Sequence, residues 1–276
     1  MDILSQIIAH KKEEAAKRKD LYPVKLLEQS IYFDTPVVSI KRYVVRKDKS
    51  GIIAEIKRQS PSQGVINPHV SIERTSIGYM QAGASALSVL TDSHFFGGSN
   101  EDLLIARKFN FCPILRKDFI IDEYQVIEAK SIGADAILLI AAVLDPKKLR
   151  ALRAFAQSLQ LEVLVEVHNE NELMHSLDAL PDLIGVNNRN LKTFEVNVEL
   201  SKQLASKIPT SVVRVSESGI DSPAMILELR DHGYSGFLLG QAFMQTAHPE
   251  KAAREFIREL RRLENRTKET YDGAGH

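Results

Sequence analysis

The sequence predicts an α/β chain of one kind, a (β/α)8 TIM barrel with an N-terminal helical extension, and three observations point there. Short apolar runs, too continuous to be exposed on either face, recur at intervals of roughly 20 to 35 residues with helical patterns between them. One phrase repeats: Gly83-Ala-Ser-Ala-Leu-Ser-Val-Leu90, Gly133-Ala-Asp-Ala-Ile-Leu-Leu-Ile140 and, more loosely, Gly233-Tyr-Ser-Gly-Phe-Leu-Leu-Gly240. Each copy starts on a glycine suited to a helix C-cap and runs into a buried strand. The third observation is length, since 276 residues suit one such barrel of typical size about 250. An open doubly wound sheet is the alternative, but its Gly-x-Gly-x-x-Gly turn after the first strand is missing.

In chain order, residues 1–50 read as helical, with Ile3, Ile7 and Ile8 on one face, a break near Tyr22 and Pro23, and a second helical stretch over 37–47. Fifty residues bury too little to stand alone, so they are an extension of a single domain spanning 1–276. The barrel itself is expected over 51–264 and a disordered tail over 265–276. Strands are expected at 52–56, 86–90, 113–117, 136–140, 162–167, 183–187, 212–216 and 236–239. A helix over 71–81 opens on Ser71-Ile-Glu-Arg, and others fall at 100–108, 122–132, 145–159, 169–177, 198–207, 222–231 and 249–264.

Composition removes several function classes. Lys plus Arg and Asp plus Glu both number 36, so no overall basic field exists to hold nucleic acid, although a local site can still take a small anion. A single cysteine, Cys112, excludes an internal disulfide framework and a Cys-rich zinc site. The N-terminal apolar run is far too short for a signal peptide, and no segment approaches the roughly 18 to 20 apolar residues of a membrane span. Cytoplasm is the natural reading.

The candidate chemistry sits at strand ends. In Ile52 to Ser62, IIAEIKRQSPS, a buried strand runs into two charges that period-2 alternation puts on one face, Glu55 and Lys57. Later strands end in Lys117, Glu166, Asn187 with Arg189, Glu217 with Ser218, and Gly240. In a barrel these ends converge on one mouth. Each residue also has a bland reading. Glu55 and Lys57 can be an exposed ion pair, Lys117 part of a solvated charge run from Leu115 to Asp118, Asn187 and Asn188 turn formers, and Glu217-Ser-Gly219 a strand end and cap. Glu166 closes an apolar strand, where an inward carboxylate needs a partner or a task. Ser218, Gly219 and Gly240 supply the amide-rich loops after the seventh and eighth strands that cradle phosphate in many barrels. His168 and His175 flank a helix start without metal-ligand spacing, and Cys112 opens the third strand at the end remote from the mouth, as a small buried apolar group.

At these residues the chain resembles a known family. AEIKRQSPS, FFGGS, PILRKDFI, VEVHNENEL, GVNNRNL, SESGI and FLLGQAFM, in this order, are similar to indole-3-glycerol phosphate synthase of tryptophan biosynthesis, over residues 1–262. AEIKRQSPS and LRKDFI carry most of the weight. The resemblance implies a TIM-barrel carboxy-lyase that closes an indole ring from 1-(2-carboxyphenylamino)-1-deoxyribulose 5-phosphate with loss of CO2 and water, using neither metal nor organic cofactor. It implies that Lys117 is the general acid, Lys57 a catalytic cation near the phosphate, and Glu55 and Glu166 acid/base carboxylates. Asn187 would position the intermediate. Ser60 and Pro61 would shape the pocket, with Arg189, Glu217 and Leu238 among the groups meeting substrate. Ser218, Gly219, Gly240 and Gln241 would hold phosphate, and Phe96 and Phe119 the anthranilate ring. Gln241 departs from the pattern, where a small residue, often serine, is usual, and the final TYDGAGH matches nothing.

These residue types suit the chemistry. Ring closure needs a proton delivered to a ketone as carbon attacks it, and a buried lysine near other cations or apolar surface is a tunable acid. Loss of the hydroxyl as water needs a second acid and a base. The nearest rival enzyme, a phosphoribosylanthranilate isomerase-like barrel, resembles a Cys and Asp pair, whereas this first strand ends in Glu55 and Lys57. A non-catalytic binding barrel would not need so many charged strand ends. The extension is expected to cover part of the mouth, because its apolar faces need burial and a barrel's lower face ordinarily needs no lid. A monomer follows from the family.

Overall fold

The computed structural model describes residues 2–273, with side chains through residue 266. Strands β1 Ile52–Ile56, β2 Ala86–Leu90, β3 Ile114–Lys117, β4 Ala136–Ile140, β5 Glu162–Val167, β6 Leu183–Asn187, β7 Val213–Glu217 and β8 Gly236–Leu239 close a parallel barrel, β1 pairing with both β2 and β8. Helices alternate with them: α4 Ile72–Ala82, α5 Asn100–Phe109, α6 Glu123–Ser131, α7 Pro146–Ser158, α8 Glu170–Leu177, α9 Glu199–Ala205, α10 Pro223–Asp231, then α11 Gln241–Met244 and α12 Pro249–Gly273. Before the barrel come α1 Ile3–Leu21, α2 Val24–Leu27 and α3 Ile40–Val44. A two-residue ribbon, Gln59–Ser60 with Gly64–Val65, projects from the loop after β1.

Local chemistry sets the boundaries. Asp2 caps α1 by accepting the Ser5 N–H at 2.8 Å, Ser71 caps α4, and Asp122 with Gln125 forms a capping box on α6. The helix α4 stops at Gly83, whose backbone is left-handed at φ 103°. Strand β3 starts at Ile114, one residue later than expected, and β7 runs over 213–217, which places Glu217 in the ladder opposite Asn187. Alternation then sorts side chains into two cores. Ile53, Leu115, Leu138, Leu164, Leu183, Val215 and Leu238 fill the barrel, while Ile52, Leu87, Ile114, Ile137, Val163, Ile184 and Phe237 pack outward on the helices.

Three expectations about the ends are corrected. The second helical stretch shrinks to α3, because Ser39 stands in extended backbone as its N-cap, accepting the Arg42 N–H at 3.1 Å, and the helix ends at Val44. Moreover, α3 does lid the lower face: Ile40 and Val44 are fully or almost fully buried and join the barrel's interior core with Ile53, Ala86 and Val215. The closing helix also passes residue 264 and reaches Gly273, since nothing between them breaks a helix. Of the expected tail, 274–276 lies outside the described residues. Among the described residues no helix is long and apolar enough to cross a membrane.

If α3 is a plug and not a lid on the chemistry, Ile40→Ala should cost about 2 to 5 kcal/mol of stability through the cavity it leaves. Urea unfolding with steady-state kinetics checks this. A stability loss with unchanged Michaelis constant is expected, and unchanged stability would show that the lower face is not closed by Ile40.

Candidate active site

The barrel's C-terminal mouth gathers in one pocket every residue to which the family resemblance gave a role. Lys117 leaves the end of β3 inward, and its Nζ lies 3.0 Å from Glu166 Oε2 on β5 and 2.8 Å from Glu217 Oε2 on β7. Glu55 on β1 pairs through Oε1 with Lys57 Nζ at 2.7 Å, just past the strand end. Thus the two charges at the end of the first strand share a face, as alternation requires, and that face is the mouth. The charge run from Leu115 to Asp118 is not solvated. Arg116 is buried against Glu128 at 2.6 Å and Asp118 against Lys11 at 2.9 Å.

Electrostatics divides the carboxylates. Burial raises both Glu166 and Glu217, and Lys117 pulls both back. Glu166 gains a second cation, His168, whose Nε2 stands 3.1 Å from Glu166 Oε1, so it is held well below the usual carboxylate range. Among the described ion pairs Lys117 is the cation on Glu217, which also feels Glu166 and Glu55, so it is pushed up to about 7. Lys117 meets burial, which disfavours its charge, but Glu166, Glu217 and Glu55 outweigh that and push it well above the lysine range. The tuning is therefore opposite to that of a lysine set among cations or apolar walls.

The loops after β6, β7 and β8 form one side of the pocket. Ser218 and Gly219 both adopt left-handed backbone, φ 67° and 77°, a turn that exposes successive amides. The strain at Ser218, which carries a Cβ, marks a position where geometry outranks local preference. Gly240 is required for a different reason, because a Cβ there would stand 2.5 Å from Glu55 Oε1. Asn187 Oδ1 accepts the Arg189 N–H at 3.0 Å, so the amide shapes the turn as well as facing the pocket. Gln241 accepts from the Arg189 guanidinium at 3.3 Å; a residue out of pattern thereby steadies a neighbouring cation.

The opposite side is apolar. Phe96 and Phe119 lie with ring centroids 5.9 Å apart, and Leu238 forms the floor beneath them with Leu138 and Ile140. Ser60 is buried with its hydroxyl 3.3 Å from that of Ser62, and Pro61 stands at the rim. Helix α1 closes over this side with Ile3, Leu4 and Ile7. The thiol of Cys112, by contrast, is buried before β3 and pushed up to about 12, chiefly by that burial.

A family model described as indole-3-glycerol phosphate synthase matches residues 4–256. The chain belongs to the indole-3-glycerol phosphate synthase family. A relative of that name from Bacteroides thetaiotaomicron is 47% identical over 259 residues, covering 94% of this chain and 99% of the relative. Another, from Polaromonas sp., is 45% identical over 90% of this chain and 95% of its own. Two solved structures share the fold. KGPDC from Streptococcus mutans has a TM-score of 0.58 at 14% identity over 76% of this chain and 97% of its own. The thiamine phosphate pyrophosphorylase from Pyrococcus furiosus has 0.56 at 14% identity over 76% and 95%. At such identity those two speak for the barrel alone.

Within this synthase-family site three residues escaped sequence reasoning. His168 lay in the quoted VEVHNENEL, but a metal-ligand pattern was the wrong test for it. Its ring bridges Glu166 to Glu172, with Nδ1 3.1 Å from Glu172 Oε2. Gly185 interrupts an apolar strand, and a Cβ there would stand 2.1 Å from Glu217 Oε1. Lys11 on α1 belongs to none of the motifs, yet it is 1% exposed.

Burial opposes the charged form of His168, but Glu166 and Glu172 outweigh it and push the imidazole up to about 10. The folded-state value lies above the free one, so this contribution to stability is complete below about pH 6.5 and fades as pH rises toward 10. Nitrogen NMR should find both ring nitrogens of His168 protonated at about pH 8. A deprotonation midpoint near the free value would contradict the bridge.

Proposed function

We propose that this pocket binds 1-(2-carboxyphenylamino)-1-deoxyribulose 5-phosphate and converts it to indole-3-glycerol phosphate, CO2 and water. The observation that carries the reading is the position of Lys117, fixed by two carboxylates between an amide-rich rim and a pair of phenyl rings. The phosphate fits the Ser218-Gly219 and Gly240-Gln241 amides beside Arg189, and the anthranilate ring fits against the wall that Phe96 and Phe119 form together. In this reading the ketone stands over Lys117 Nζ, with Lys57 on the phosphate side.

In the first step the ring carbon that bears the carboxylate bonds to the ketone carbon, and the carbonyl electron pair moves to oxygen. Lys117 supplies the proton that this oxygen takes up. Its raised pKa makes it a strong hydrogen-bond donor and a weak acid, so transfer occurs late, once the oxygen has gathered negative charge. The carbon–carboxylate bond then breaks, CO2 leaves, and its electron pair restores the aromatic ring. Finally the hydroxyl departs as water with a proton from an acid, and the adjacent carbon gives up a proton to a base. Glu166 is the base because Lys117 and His168 keep it ionised. Glu217, poised near neutrality, stands within reach of Lys117 to return its proton. Glu55 and Lys57 form the second acid/base pair, and Asn187 holds the intermediate. The enzyme is thus a lyase of aromatic amino-acid biosynthesis. One chain supplies every group named and the substrate is a soluble phosphate ester, so we take it to act as a monomer in the cytoplasm.

Three variants separate the roles. Lys117→Met removes the donor and keeps most of the aliphatic volume, so turnover should fall by about 10² to 10⁴-fold while product still binds. Lys57→Met should weaken affinity and rate together, since a cation near phosphate also stabilises the ground state. Glu166→Gln should lose rate with little change in melting temperature. Near-normal turnover in Lys117→Met would refute the assignment.

A further inference from the structure

Helix α1 buries three residues, Ile7, Lys11 and Ala15, and one of them is a lysine. The ammonium of Lys11 lies 3.0 Å from Asp92 Oδ2 and 2.9 Å from Asp118 Oδ1, both buried, and 2.7 Å from Glu14 Oε2 on its own helix. These aspartates follow β2 and β3, and each one fixes a loop. Asp92 Oδ1 accepts the backbone N–H groups of Phe95 at 2.7 Å and Phe96 at 3.1 Å. Asp118 Oδ1 accepts the N–H of Phe119 at 2.8 Å, while its Oδ2 takes the Thr91 hydroxyl at 2.6 Å. A single ammonium thus joins the two carboxylates that hold the backbone of the two phenyl walls.

We propose that Lys11 is a positioning residue for ring closure: from the N-terminal helix it sets the separation of Phe96 and Phe119, and so the fit of the substrate's aromatic ring. This rests on the reading that those two rings hold the anthranilate. Attachment of α1 does not by itself call for a buried charge, since an apolar residue of similar volume fastens a helix at least as well. What an apolar residue does not supply is a fixed distance between Asp92 and Asp118. Asp118 would keep Arg116, at 3.3 Å, whereas Lys11 is the cation on Asp92 among the described ion pairs. Loss of Lys11 would therefore release the Phe95-Phe96 turn before it released Phe119. Helix α1 would meanwhile keep its apolar contact with the pocket through Ile3, Leu4 and Ile7.

The test compares ring recognition with phosphate recognition. Lys11→Met and Asp92→Asn are measured for steady-state kinetics, for binding of indole-3-glycerol phosphate and for binding of inorganic phosphate. The asparagine keeps Oδ1 for the turn but turns its NH2, a donor, to the ammonium, and it decides the matter if Lys11→Met does not fold. Both variants should raise the Michaelis constant and weaken the indole product by about tenfold or more, a misplacement effect, with phosphate affinity unchanged. Phe96→Leu and Phe119→Leu serve as the control on the underlying reading. If they lose product affinity while the Lys11 and Asp92 variants lose only melting temperature, the positioning role is overturned and Lys11 is a stability element. Equal weakening of product and phosphate overturns it as well. If the phenylalanine variants bind product normally, the ring assignment itself falls, and the brace loses its purpose with it.

Discussion

Everything at the mouth of this barrel answers to the lysine that stands between two buried carboxylates. Taking Lys117, Glu166 and Glu217 out of water costs several kcal/mol per charge, and mutual attraction offsets this only where the geometry is close and further partners are present. The distances of 3.0 and 2.8 Å meet the first condition. His168 meets the second for Glu166, and Glu217 resolves its own excess by holding a proton near neutrality. With Glu55 paired to Lys57 beside them, the site sets Lys117 and Glu166, held charged, against Glu217, the carboxylate pushed toward neutrality. That sorting is what a reaction with one proton delivery, one proton removal and one dehydration requires of its residues.

The N-terminal extension does two separate jobs at opposite ends of the barrel. Helix α3 extends the interior core through Ile40 and Val44, so its role belongs to folding. Helix α1 crosses the mouth, meets the substrate space with three aliphatic residues, and is pinned through Lys11, Arg18 and Lys19 to the loops and helix that follow β2 and β3. Removing the whole segment would therefore mix loss of a plug with loss of a wall. Truncation within α1 is the cleaner perturbation, because residues 24–44 would remain to close the lower face.

Most of the barrel was legible in the sequence because parallel strands buried on both faces leave long apolar runs, and Gly83, Gly133 and Gly233 punctuate them. The converging strand ends followed from fold geometry alone, and the motifs around Lys57 and Lys117 supplied the family. Other features were hidden for physical reasons. The burial of Lys11 depends on where α1 docks, which helical periodicity does not encode. His168 acts by bridging two carboxylates, one of them four residues further along the chain, and no short pattern marks such a bridge. The direction of the Lys117 shift hinged on which charges surround it, and a list of strand ends gives the charges without their distances. The expected helix over 37–47 narrows to Ile40–Val44 because Ser39 caps it in extended backbone, a choice that apolar spacing does not reveal.

The most direct measurement mixes the purified protein with 1-(2-carboxyphenylamino)-1-deoxyribulose 5-phosphate in chelator-treated buffer and follows indole fluorescence together with released CO2. One CO2 for each indole formed, at a rate that Lys117→Met lowers by at least about 10²-fold, is the expected result. Substrate consumed without CO2 or without an indole product, or no reaction at all, would contradict it.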